Sequence, residues 1–76
     1  MNPIKKVAGN IKNARLYRNY SQDYLAQKLN ISQNAYSKIE LGYTRVTVER
    51  LFIIADVLNV DPCDFLSDDS SNLVTV

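Results

Sequence analysis

Residues 21–42 read SQDYLAQKLNISQNAYSKIELG, and their pattern decides the fold: two short helices joined by a tight turn. Ser21 is a good N-cap, because its hydroxyl can accept from a first-turn N–H that the helix leaves unpaired. Leu25, Ala26 and Leu29 then follow at helical spacing. The helix is expected to end near Leu29. Asn30 stands where a helix end wants a residue tolerant of a left-handed backbone, Ile31 can plug the turn, and Ser32 offers a second N-cap. A second helix is therefore expected from Gln33.

On that second helix Ala35, Tyr36 and Ile39 share one side, while Gln33, Asn34, Ser37 and Lys38 share the other. The polar side is free to touch a ligand. Gln and Asn can each pair bidentately with adenine in the major groove, Ser can donate or accept, and Lys can reach guanine or phosphate. None of these residues offers catalytic chemistry.

These residues resemble the helix-turn-helix domain shared by lambdoid phage repressors and the xenobiotic-response-element family of bacterial regulators. The resemblance rests on Gln22, the Leu25-Ala26 pair, apolar Ile31 in the turn, Tyr36 and Ile39, and the closing Glu40-Leu41-Gly42. It extends over residues 7–66. Asn30 departs from the usual turn glycine, and Tyr36 from the commoner aliphatic, so the Tyr36 hydroxyl has to find water or a partner. The resemblance implies an all-α, compact five-helix lambda repressor-like domain, with the helix-turn-helix formed by the second and third helices. It also implies that the third helix enters the major groove. Gln33, Asn34, Ser37 and Lys38 would then read bases. Gln22, Ser32, Thr44 and Arg45 complete the expected DNA-binding set, with Gln22 touching a phosphate and buttressing the start of the third helix, and the loop Tyr43-Thr44-Arg45 lying along the backbone.

Working outward, Asn2-Pro3 is a helix-start signal, and Ile4, Val7, Ala8, Ile11 and Ala14 define an inward stripe on a first helix expected to reach about Arg18. Gly9 weakens it by roughly 1 kcal/mol relative to Ala, a cost that close packing would explain. Arg15 can be read as a solvated surface residue. The family resemblance instead sets it opposite Glu40 as a partly buried ion pair, the reading favoured here because a guanidinium can meet a carboxylate twice. Gly42 is expected to end the third helix as a left-handed cap. Thr47 and Glu49 open a fourth helix whose inward positions are expected to be Val48, Leu51, Phe52, Ile54, Ala55 and Leu58. Asp61 caps a short fifth helix over residues 62–66, in which Cys63 is expected to be a small packing residue. Residues 1–66 form the expected DNA-binding domain. Residues 67–76 are expected to be a polar linker, SDDSSN, with an apolar tail, LVTV, that is either frayed or held at a dimer interface.

The 76 residues are expected to make one domain, with a net charge of +1 that conceals an asymmetry: residues 1–45 carry +6 and the remainder −5. A basic face for a polyanion fits this division, as does an ordinary mixture of solvated charges. With no His, one Cys without an evident base and no metal-ligand spacing, an enzyme is the least expected class, and neither a cofactor nor a metal is anticipated. There is no leader and no membrane-spanning apolar run, so the expected setting is cytoplasmic, with no membrane partner. The expectation is a sequence-specific transcriptional regulator, a repressor that binds double-stranded DNA at a palindromic operator as a homodimer. The other reading is a protein-interaction module, such as an antitoxin whose principal partner is a toxin, motivated by the acidic second half and the apolar tail.

Overall fold

In the computed structural model, which describes residues 3–66, the elements are α1 (Pro3–Tyr17), α2 (Gln22–Leu29), α3 (Gln33–Glu40), α4 (Val48–Leu58) and a closing 3-10 helix (Pro62–Leu66). The Asn2 cap and the tail of residues 67–76 lie outside the described residues. The starts of α2, α3 and α4 have a local cause. Ser21, Ser32 and Thr47 sit in extended backbone and accept through their hydroxyls from the N–H of Tyr24, Ala35 and Arg50, at 3.0, 3.0 and 3.1 Å. Each end does too. Asn19, Asn30, Gly42 and Asn59 have φ of 62°, 59°, 78° and 57°, and the N–H after each reaches back to the carbonyl of Arg15, Ala26, Lys38 or Ala55. One left-handed residue thus turns the chain out of every α-helix while satisfying carbonyls that the helix leaves open.

The expected five-helix count is not met: the described residues form four α-helices and one 3-10 helix. Pro62–Leu66 is only five residues long, and the Asp64 N–H closes on the Asp61 carbonyl at 2.9 Å, the tighter i to i+3 bond. The Asp61 carboxylate is nevertheless a cap, accepting from the Cys63 N–H at 2.9 Å.

The core joins Ile11 and Ala14 of α1 to Leu25, Ala26 and Leu29 of α2, Tyr36 and Ile39 of α3, Leu51, Ile54, Ala55 and Leu58 of α4, and Phe65. α2 packs on α3 and α4, and α1 spans α3, α4 and the 3-10 helix. Two polar clamps reinforce it. Buried Asn10 donates from Nδ2 to the Phe65 carbonyl at 2.8 Å, while Arg18 donates from Nε to the Leu58 carbonyl at 2.9 Å and from Nη2 to the Asn59 carbonyl at 3.3 Å. Arg18 therefore serves the C-terminal end of α4, where carbonyls are open and the helix dipole favours a cation.

Three expectations about packing are corrected. Val48 and Phe52 are exposed, because Leu51, Ile54, Ala55 and Leu58 already fill the inward arc of α4 and Phe52 falls about 110° round the helix from its centre. Cys63 is exposed, so it is not a packing residue. A Cβ on Gly9 would meet nothing within 4 Å, so close packing does not explain that glycine. Close packing does explain Gly42, where a Cβ would stand 2.8 Å from Lys5 Cγ and 3.2 Å from Lys5 Cα.

Candidate nucleic-acid interface

α3 is divided sharply by burial. Tyr36, Ile39 and Glu40 are buried, Ala35 and Ser37 are half-buried, and Gln33, Asn34 and Lys38 are exposed. Of the four residues expected to read bases, three are thus open to a groove, while Ser37 lies at the edge of the packed side. Ser32 has its hydroxyl oxygen occupied by the Ala35 N–H, which leaves the hydroxyl hydrogen for a ligand.

Beneath α3 lies a buried polar cluster. Arg15 donates from Nε to Glu40 Oε2 at 2.6 Å, from Nη2 to Glu40 Oε1 at 3.0 Å and from Nη1 to the Tyr20 carbonyl at 2.7 Å. Gln22 donates from Nε2 to Glu40 Oε1 at 3.1 Å. Arg15 and Glu40 are each only 7% exposed, so three elements are locked together out of water: α1, the first turn of α2 and the last turn of α3. Burial pushes the Glu40 carboxyl upward, but Arg15 above all, then the neighbouring Tyr36 hydroxyl and the Gln22 amide, prevail and hold it below its ordinary value. The Arg15 guanidinium is raised in turn, chiefly by its hydrogen bond to Glu40.

Gln22 was expected to buttress the start of the third helix, but its bond is to Glu40 in the last turn of α3, eighteen positions away in sequence. Gln22 Nε2 carries a second hydrogen that this bond does not use. Tyr36 shows the consequence of replacing an aliphatic. The hydroxyl is fully buried near Glu40 and Arg15, close enough to feel their charges, yet no partner satisfies it at hydrogen-bond geometry. Burial accordingly raises the phenol strongly.

Thr44 and Arg45 are exposed in the loop between α3 and α4, as is Tyr43. Arg45 has no ion-pair partner among the described residues, and with Ile4, Val7 and Val46 it lines a shallow cleft of about 290 Å³. Lys5, which no motif singles out, lies against Gly42 at the end of α3. Its only signal in the sequence is its place in the basic half.

Among the described residues no group of His, Cys, Asp or Glu is arranged to hold a metal, and no helix is long and apolar enough to cross a membrane. No curated protein matches the chain. The crystal structure of the clp gene regulator ClgR from C. glutamicum is similar in fold, with a TM-score of 0.78 over 95% of this chain and 91% of that chain, at 18% identity. A family model described as helix-turn-helix matches residues 11–65, from the middle of α1 to Phe65. Spanning most of the chain and both helices of the turn, that match places the protein in the lambda repressor-like helix-turn-helix family of DNA-binding transcriptional regulators.

Proposed function

We propose that the protein is a repressor that binds a palindromic operator as a homodimer, with α3 in the major groove. The observation that carries this reading is the exposure of Gln33, Asn34 and Lys38 on a helix whose opposite side is buried and whose last turn is bonded to α1 and α2. A rigidly held helix presents its side chains at a fixed angle, which base readout requires. Gln33, Asn34, Ser37 and Lys38 read base edges, while Gln22, Ser32, Thr44 and Arg45 set register through phosphates.

The homodimer follows from the limits of one such domain, which reads only a few base pairs. Two copies on half-sites about one helical turn apart supply useful selectivity. A cytoplasmic setting suits this role. Gln33→Ala tests the assignment: it weakens the specific site by about 1 to 3 kcal/mol and relaxes preference at one base pair. An unchanged ratio of specific to non-specific affinity would remove Gln33 from the reading set.

A further inference from the structure

α4 carries a second exposed surface, apart from the recognition helix. Val48, Phe52 and Ile53 are 69%, 57% and 42% exposed, although all three are large and apolar. At helical spacing Val48, Phe52 and Asp56 form one row, and Glu49 and Ile53 form the neighbouring row. The opposite side of α4 is fully engaged through Leu51, Ile54, Ala55 and Leu58. Glu49 and Asp56 are exposed and have no ion-pair partner among the described residues. The surface is therefore an apolar ridge with a carboxylate near each end, seven residues or about 10 Å apart along the axis.

We propose that this face docks a cationic amphipathic helix of a partner protein. Two rows of side chains on one helix form the ridge that fits the groove of another, so a helix with apolar residues at i and i+4 is the natural complement. Lys or Arg residues about two turns apart on that helix would reach Glu49 and Asp56 together. Charge decides against two other occupants. A second copy packed about a two-fold axis on this face would bring the Glu49 and Asp56 carboxylates toward those of the other copy, like charge against like. Residues 67–76 of the same chain include Asp68 and Asp69 beside Leu73, Val74 and Val76, which adds like charge to the face.

The test is a titration of the isotope-labelled full chain with a synthetic helical peptide of Leu and Lys at helical period, followed by backbone amide shifts, against a Leu and Glu peptide as control. The expected result is saturable change concentrated at residues 48–57 with the Lys peptide alone. Phe52→Ala and Asp56→Lys should each weaken binding about tenfold, and Gln33→Ala should leave it unchanged. Both α4 substitutions are at exposed positions, so circular dichroism should show an intact fold. Equal binding of the two peptides, or shifts centred away from α4, overturns the proposal. So does a concentration-dependent shift of residues 48–57 without peptide, which would identify a second copy as the occupant. Nuclear Overhauser contacts from Leu73–Val76 to Phe52 in the free chain would overturn it in favour of the chain's own segment.

Discussion

The Arg15 guanidinium grips the Glu40 carboxylate with two hydrogen bonds, at 2.6 and 3.0 Å, and so ties α1 to the last turn of α3. Neither residue touches the outward side of α3, but both govern how that side is presented. Removing one partner strands a charge in a place that is 7% exposed.

Glu40→Ala should therefore destabilise the fold by about 3 kcal/mol, at the lower end of the range for broken buried pairs because the Tyr20 carbonyl remains to Arg15. Replacing both partners together, as Arg15→Met with Glu40→Leu, should cost less than the sum of the single changes. Urea denaturation of the four proteins in the cycle measures this. Additive losses would contradict the coupling.

The same pair sets an acid limit. Glu40 has a folded-state pKa below its ordinary value of 4.5, so its contribution is complete above that pH and is lost as pH falls through the lower folded value. Thermal stability should decline below about pH 4.5, and Glu40→Gln should flatten that part of the profile. The Arg15 guanidinium, raised by its hydrogen bond to Glu40, stays charged and imposes no limit at neutral pH. A variant with the same acid slope as the wild type would remove Glu40 from this account.

Tyr36→Phe should leave stability unchanged or raise it by up to about 1 kcal/mol, since it removes a buried hydroxyl that has no partner and keeps the ring. A chemical denaturation midpoint at or above that of the wild type is the expected outcome. A loss of more than about 1 kcal/mol would show that the hydroxyl bonds to Glu40 or Arg15 in solution.

Helix ends give an opposed pair of predictions. Gly42→Ala should cost about 1 to 2 kcal/mol, because it places a Cβ in left-handed backbone and 2.8 Å from Lys5 Cγ. Asn30→Gly, at φ 59°, should be neutral or slightly stabilising, as glycine adopts that conformation without strain. Thermal unfolding of both variants is the check, and an equal loss in the two would argue against conformational strain as the cause.

The features legible in the chain were those with local causes. Ser21, Ser32 and Thr47 signal helix starts because each cap bonds an N–H three residues ahead, and Asn30 and Gly42 signal ends because few residue types tolerate positive φ. Asn19 makes the same turn two residues beyond Tyr17, where α1 ends. Phe52 was placed inward because it is apolar, whereas the inward arc of α4 was already filled. The family resemblance set Arg15 opposite Glu40, where periodicity alone left it open. The bonds from Gln22 to Glu40 and from Asn10 to Phe65 join residues 18 and 55 positions apart, and no local pattern announces such pairs.

The most direct measurement is selection by the purified chain from a random double-stranded DNA pool, followed by titration of the recovered duplex at two salt concentrations. The account predicts a palindromic sequence bound by two copies, at least about a thousandfold more tightly than scrambled DNA at the same salt. Weak binding that is blind to sequence and erased by salt would contradict the claim that α3 reads bases, leaving only the attraction of a basic face for phosphate.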